Sequence, residues 1–136
     1  MQKILVDTNI VLDLLAKRQS FFLEAQELFT LSDKKKVKLF VSSLTFANTY
    51  YVLSQSLKIE NTRKILRKFK VLVNVLPMDD KIIDLSLDSE FNDFEDAIQY
   101  YTAIENNLGI IITRNLKDYK QSQIPVLTAK DFLAIK

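Results

Sequence analysis

Short apolar segments alternate with longer segments of helical periodicity along the whole chain, and this alternation limits the possible folds more than any other feature. The apolar runs that predict strands are residues 4–6, 39–41, 71–76, 110–112 and 125–127. The stretches between them predict helices near residues 10–15, 22–32, 43–57, 61–69, 79–88, 93–108 and 129–135. Strands separated by helices run parallel in one sheet that is covered on both faces. We therefore predict one domain over residues 1–136, a three-layer α/β/α fold with a central parallel sheet of four to five short strands.

The chain has a single glycine, Gly109, which follows the clearest helical pattern. We expect it to end that helix in the left-handed conformation, as glycine commonly does. A dinucleotide fingerprint needs several glycines in its turn, and a phosphate loop needs at least two. Both kinds of nucleotide site are therefore excluded.

The chain also lacks cysteine and histidine. Without cysteine there is no disulfide framework and no thiolate metal site, and no apolar stretch approaches the length of a membrane helix. The cytoplasm is the expected location, and no membrane association is expected. Without imidazole or thiol, the usual nucleophilic mechanisms lose their standard base. Carboxylate, lysine, tyrosine or metal-ion chemistry remains.

Polar side chains follow two of the predicted strands directly. Asp7-Thr8-Asn9 comes after the run 4–6, and Thr113-Arg114-Asn115 comes after the run 110–112. Parallel sheets bind ligands just beyond the carboxyl ends of their strands. The two clusters are therefore expected to lie at one edge of the sheet and to converge.

Other acids and amides complete the set of candidate site residues. The central candidates are Asp7, Asp96, Asn115 and Asp118, and the outer ones are Asp13, Asn48, Asp93 and Glu95. Each also has an ordinary structural explanation, because residues at a helix start cap it and acids in the first turn complement the helix dipole. On that interpretation Asp13 is solvated on an exposed helix face and Asn48 is a hydrogen-bonded core amide.

Taken together, the capping explanations leave a charge problem. If Asp7 and Asp96 face one another beside Asp118, each like-charged pair at ~4 Å costs about 4 kcal/mol at an effective dielectric constant near 20. A domain that is stable by only ~5–15 kcal/mol does not ordinarily keep such a cluster uncompensated. A divalent cation resolves the problem, and ligands that are all oxygen favour Mg²⁺ or Mn²⁺.

Basic residues form two clusters in the first half of the chain. One is a stripe on a predicted helix, Arg63, Lys64, Arg67 and Lys68, and the other is Lys34–Lys36 with Lys38. Either cluster is explained as solvated surface or as a contact with a nucleic-acid backbone. Arg114, expected beside the acids, is the better candidate for binding a scissile phosphate.

Four segments together resemble the PIN domain family, in particular its bacterial toxin-like branch found in VapBC-type toxin–antitoxin pairs. They are LVDTNIVLDLL, SSLTFANTYYVLS, DFEDAIQYYTA and IIITRNLKDY, in that order along the chain. The resemblance implies an α/β/α fold and a Mg²⁺- or Mn²⁺-dependent ribonuclease. It also implies a homodimer that an antitoxin protein holds inactive.

The resemblance implies roles for particular residues. Asp7 matches the first metal-binding acid, with Thr8 and Asn9 as its supporting neighbours. Asp96 matches the acid of the third segment, and Asn115 and Asp118 fall in the fourth. The chain departs from the family at Asn48, where many active members carry an acid, and Asn115 is likewise neutral where many have Asp. Asp93 and Glu95 are further supporting acids.

Three functions follow as hypotheses. The first is a metal-dependent endoribonuclease in which water attacks the phosphate, leaving 5′-phosphate and 3′-hydroxyl ends, because no histidine pair is present to drive attack by the ribose 2′-hydroxyl. The second is a PIN-like module that binds RNA or protein without cutting, which the neutral Asn48 favours. The third, a phosphotransferase with Asp7 as nucleophile, is disfavoured because no second acid stands two residues along.

Overall fold

The computed structural model describes all 136 residues and contains one five-stranded sheet in which every pairing is parallel. Its strands are β1 (Gln2–Val6), β2 (Val37–Ser42), β3 (Asn74–Leu76), β4 (Ile110–Ile112) and β5 (Val126–Leu127). Their order across the sheet is β3-β2-β1-β4-β5. β1 and β4 are therefore neighbours, so the polar clusters that follow them lie side by side.

Seven α-helices and one 3₁₀ turn connect the strands. The helices are α1 (Thr8–Leu15), α2 (Phe22–Asp33), α3 (Ser43–Ser54), α4 (Ile59–Lys70), α5 (Asp80–Leu87), α6 (Phe94–Glu105) and α7 (Ala129–Ala134). The 3₁₀ turn, Leu116–Tyr119, follows β4 and was not expected from the sequence. None of these helices is long and apolar enough to cross a lipid bilayer.

The core is divided between the two faces of the sheet because successive strand residues point to opposite sides. Ile4 and Val6 of β1 face a cluster of 16 buried residues that includes side chains of α1, α2, α4 and α7. Leu5, between them, faces a cluster of 7 buried residues that includes Tyr100 and Ala103 of α6. Helices thus cover both faces, and the predicted three-layer α/β/α fold is confirmed.

Several predicted boundaries were wrong. The helices expected to reach residues 57 and 108 end at Ser54 and Glu105, and two other errors have a clear physical reason. The strand expected over 71–76 begins only at Asn74, because residues 71–73 still form the turn that ends α4, with Leu72 N–H donating to Phe69 O. Gly109 does not adopt the left-handed conformation; Asn107 does, with φ of 57°. Asparagine tolerates this conformation well. Gly109 instead directly precedes β4, and its N–H donates to Lys3 O at 3.1 Å.

Candidate active site

Asp7 lies at the carboxyl end of β1, and its side chain accepts three hydrogen bonds, from α1, from the residue after β4 and from the 3₁₀ turn. Its Oδ1 accepts from the Thr8 N–H at 2.7 Å. Its Oδ2 accepts from the Thr113 hydroxyl at 2.8 Å and from the Tyr119 hydroxyl at 3.0 Å. The residue is only 6% exposed. Burial raises the pKa of Asp7 although these hydrogen bonds act to lower it.

The Tyr119 hydroxyl lies between Asp7 and Asp96. It is 3.0 Å from Asp7 Oδ2 and 3.5 Å from Asp96 Oδ1, so the two carboxylates, 89 positions apart in the chain, meet at one phenol oxygen. Burial and the adjacent carboxylates raise the pKa of Tyr119 far above its usual range. The hydroxyl therefore keeps its proton and acts as a hydrogen-bond donor, not as a base.

Asp96 stands in the first turn of α6, where its backbone N–H donates to Asp93 Oδ1 at 3.0 Å. Burial, and then the negative charges of Asp7, Asp93 and Asp118, raise the pKa of Asp96 to about 7. The negative charges of these three acids and of Asp96 itself therefore lie in one region of negative potential. The predicted convergence of Asp7 with Asp96 is present in the structure.

Three of these acids line a small cavity, which we call the acidic cleft. Its volume is about 130 Å³, and it is lined by Asn92, Asp93, Asp96, Lys117, Asp118, Lys120 and Gln121. No apolar side chain contributes to it. Lys117 and Lys120 were not singled out in the sequence, although they lie within the motif that carries Asp118.

The donor atoms at this edge of the sheet fit a hard divalent cation, although no three acids are close enough together to bind one ion in the arrangement that the structure shows. The available donors are oxygen atoms, with neither imidazole nor thiolate in the chain. Mg²⁺ commonly binds through one or two carboxylates and keeps several of its water molecules. Asp7 and Asp96 supply two carboxylates, and Asp118 lies close enough for its charge to act on Asp96.

The three amide candidates and Glu95 make no hydrogen bond with the carboxylate of Asp7 or Asp96. Asn115 is exposed, its N–H donates to Thr113 Oγ1 at 3.2 Å, and it lines a different cavity. Asn48 is half-buried on α3. Asn9 supports the site indirectly, because its Nδ2 donates to Thr113 Oγ1 at 3.4 Å. Glu95 is exposed in the first turn of α6.

Arg114 is directed away from the acidic cleft. Its Nε lies 3.0 Å from Asp13 Oδ2, and its guanidinium group lies over the Phe21 ring at 4.1 Å from the centroid. Asp13 is 1% exposed, so the alternative in which this acid is solvated on an exposed helix face is wrong. Burial raises the pKa of Asp13, while the charges of Arg114 and Arg18 oppose that rise. An acid within the apolar run of α1 was the available signal for a buried ion pair.

A buried polar group that contacts Thr8, the neighbour of Asp7, was also missed in the sequence. Gln99 Nε2 donates to Thr45 Oγ1 at 3.0 Å and to Thr8 Oγ1 at 3.4 Å, and the two hydroxyls are 3.0 Å apart. These contacts join α6, α3 and α1 next to the site. Thr8 therefore supports the site through its side chain as well as through its N–H. The signal was a glutamine among the apolar residues of α6.

The basic stripe lies on α4, where Arg63, Lys64, Arg67 and Lys68 are all exposed. Arg63 and Arg67 line a groove of about 350 Å³ between α3 and α4, together with Lys70, Phe46, Tyr50 and Leu66. The groove thus joins cationic side chains to two aromatic rings. This pairing of charge and ring suits a nucleic-acid strand better than a uniformly charged surface does.

Comparison with known proteins decides the family. The sequence profile of the PIN domain matches residues 3–117, which include both strands and both polar clusters of the site. The chain belongs to the PIN domain family.

Relatives match this PIN domain over nearly its whole length. Ribonuclease VapC1 of Aquifex aeolicus is 30% identical over 139 residues, which cover 96% of this chain and 93% of the relative. A toxin–antitoxin complex from Klebsiella pneumoniae contains a chain that is 28% identical, with a TM-score of 0.69 over 93% of this chain and 97% of that one. DNA-bound VapBC from Salmonella typhimurium gives a TM-score of 0.74 at 20% identity, over 95% and 99% of the two chains. The fold inferred from the sequence is the fold of these proteins.

Proposed function

We propose that this PIN domain is a divalent-metal-dependent endoribonuclease and the toxin component of a toxin–antitoxin pair. The observation that carries the proposal is the meeting of the Asp7 and Asp96 carboxylates at the end of the parallel sheet, with other negative charges beside them. The match to a protein named as a ribonuclease supports the reaction class. The match to a toxin–antitoxin complex supports the biological role.

Asp7, Asp96 and Asp118 would hold Mg²⁺ or Mn²⁺, with Asn115 as a neutral ligand or an orienting group for water. When bound, the cation supplies activation of water and neutralises charge on the phosphate. The hydrogen bonds from Thr8, Thr113 and Tyr119 keep Asp7 fixed in position for this role. Water attack with this arrangement leaves 5′-phosphate and 3′-hydroxyl ends.

Cationic contacts to the substrate are supplied from two places. Lys117 and Lys120 line the acidic cleft itself, so they are placed to contact the phosphate that is cut. Arg114, which the sequence suggested for this task, has its Nε engaged with Asp13. The groove with Arg63 and Arg67 would contact RNA farther from the cut.

The proposed partners are an RNA substrate, an antitoxin protein and a second copy of the chain, and the proposed place of action is the cytoplasm. Size-exclusion chromatography with light scattering tests the homodimer. Co-purification with the product of the adjacent gene tests the antitoxin.

Incubation of a mixed RNA pool with the purified protein tests the activity. Cleavage is expected with Mn²⁺ and is expected to stop in EDTA. Asp96→Asn should remove it, while the control Asp84→Asn, at an exposed position on α5, should retain it. Mapping of the new ends should find 5′-phosphates; cyclic phosphate ends would contradict water attack.

A PIN-like module that binds RNA without cutting is the second candidate. The neutral side chain of Asn48 and the lack of a ready-made group of three acids favour it. Under this alternative, the protein binds the RNA pool equally well in Mn²⁺ and in EDTA, and no new ends appear in either.

A further inference from the structure

Tyr119 occupies a position that packing alone does not explain. It closes the 3₁₀ turn, is 3% exposed and packs edge-on against Phe91. Its hydroxyl reaches Asp7 at the end of β1 and Asp96 at the start of α6. One phenol thus connects the two carboxylates that the proposed metal site requires.

Tyr100 shows what an ordinary buried tyrosine does in the same aromatic group. It is 6% exposed, its ring is 5.2 Å from that of Phe91, and its hydroxyl accepts a hydrogen bond from the Gln123 N–H at 3.2 Å. A backbone partner is therefore enough to satisfy a phenol in this part of the core. The contacts of Tyr119 with two acids are a separate feature.

We propose that Tyr119 is a positioning residue of the metal site, whose hydroxyl fixes the Asp7 and Asp96 carboxylates in the relative placement that binds the cation. This inference rests on the proposed function. The hydroxyl does not replace a metal ligand; it donates its one proton to Asp7 and contacts Asp96, and these two carboxylates do the binding. Groups that orient metal ligands in this way typically contribute 10- to 100-fold to metal affinity.

The geometry also predicts which acid depends more on Tyr119. The hydroxyl has one proton, and it lies 3.0 Å from Asp7 Oδ2 but 3.5 Å from Asp96 Oδ1. The proton is therefore donated to Asp7, and the contact with Asp96 is the weaker one. Asp7 keeps its bonds from Thr8 and Thr113 when the phenol is lost, so the site should be weakened but not destroyed.

The test is a Mn²⁺ titration of the full chain, followed by the electron paramagnetic resonance signal of free Mn²⁺. Tyr119→Phe keeps the ring and should raise the Kd for Mn²⁺ roughly 10- to 100-fold. Tyr100→Phe is the matched control, because it removes a hydroxyl from the same aromatic group, and its Kd should stay within about twofold of wild type. RNA cleavage by Tyr119→Phe should recover when Mn²⁺ is raised to saturation.

The outcomes separate this inference from the proposed function. If the wild type binds no Mn²⁺, the proposed metal site is wrong, and the role of Tyr119 is overturned with it. If the wild type binds Mn²⁺ and Tyr119→Phe binds it equally well, only the role of Tyr119 is overturned. An equal loss of affinity in both tyrosine variants would also overturn it, since that would indicate a general packing effect.

The wild-type protein provides a second measurement that needs no variant. With ¹³C-labelled tyrosine, addition of Mg²⁺ should shift the Cζ resonance of Tyr119 and leave that of Tyr100 in place. Binding of Mg²⁺ without a shift at Tyr119 would contradict the inference.

Discussion

The substitution Asp7→Asn distinguishes two roles for Asp7, that of a metal ligand and that of a helix cap. The amide keeps the size of the side chain and one carbonyl oxygen, but it removes the charge. A capping role predicts a loss of stability in any buffer. A metal-binding role predicts that the variant loses its response to the cation while the metal-free protein changes little.

The expected size follows from two opposing effects. Asp7 Oδ2 and Asp96 Oδ1 share the Tyr119 hydroxyl at 3.0 and 3.5 Å, so neutralising Asp7 removes a repulsion. At a separation of about 6 Å and an effective dielectric constant near 20, that repulsion is about 3 kcal/mol when both acids are ionised. Against this, the new amide replaces an oxygen that accepts from two hydroxyls, which costs about 1–3 kcal/mol. Above pH 7 in EDTA, the free energy of unfolding should therefore stay within about 1–2 kcal/mol of wild type.

Thermal unfolding in EDTA and in saturating Mn²⁺ is the assay. For wild type, a cation at 100 times its Kd stabilises by about 2.7 kcal/mol. For a domain of this length that is a rise in Tm of about 10 °C. Asp7→Asn should show a rise below about 2 °C, and Asp84→Asn should behave as wild type. An equal rise in Asp7→Asn, or a loss of several kcal/mol by that variant in EDTA, would refute the reasoning.

Three further predictions concern pH, the buried ion pair and RNA. In EDTA the wild type should become more stable against urea as the pH falls from about 8 towards 5. The pKa of Asp96 is about 7 in the folded protein and near 4 in an unfolded chain, so the folded state takes up the proton first. A stability that does not change with pH would contradict this. Arg114→Ala should lower the free energy of unfolding by about 2–4 kcal/mol, because it leaves Asp13 buried with only Arg18 at 3.9 Å. A loss of cleavage without a loss of stability would instead indicate that Arg114 binds the phosphate. Arg63→Glu with Arg67→Glu should weaken RNA binding and flatten its dependence on salt, measured by fluorescence anisotropy; an unchanged slope would leave this stripe as solvated surface.

Most of the fold could be predicted because its determinants are local in the sequence. Apolar runs such as Ile110–Ile112 are buried on both faces of a parallel sheet. The helices between the strands indicate that consecutive strands run parallel. The errors at Val71 and Gly109 arose where the local sequence allows two structures. An apolar run fits a strand or the end of a helix, and a left-handed residue after a helix can be asparagine or glycine. Val71 is 85% exposed in the turn after α4, and Asn107 supplied the left-handed residue before Gly109 was reached.

For the candidate site too, the features set by neighbouring residues in the sequence could be predicted, and those set by contacts between distant segments could not. Asp7 was predictable because it directly follows a strand, and its meeting with Asp96 follows from the order of the elements. Gln99 and Asp13 stand out in the sequence as polar residues in apolar runs, but their partners were not predictable, and neither was the placement of Tyr119. Each contact depends on the direction of a side chain across distant segments. In the sequence, a buried tyrosine that donates to a carboxylate, as Tyr119 does, looks the same as one that accepts from a backbone N–H, as Tyr100 does.

The way Asp7 begins its helix argues against a simple capping role. Every other side chain that caps a helix start in this protein accepts from the N–H three residues ahead, as Ser42, Asp79, Asp93 and Thr128 all do. Of the backbone N–H groups of α1, only that of the adjacent Thr8 donates to the Asp7 side chain. The second carboxylate oxygen of Asp7 accepts instead from Thr113 and Tyr119. A capping role alone would be satisfied with the usual geometry and would not require a buried carboxylate facing another acid. The fold instead holds Asp7 from three sides, at an energetic cost that the binding of a cation would offset.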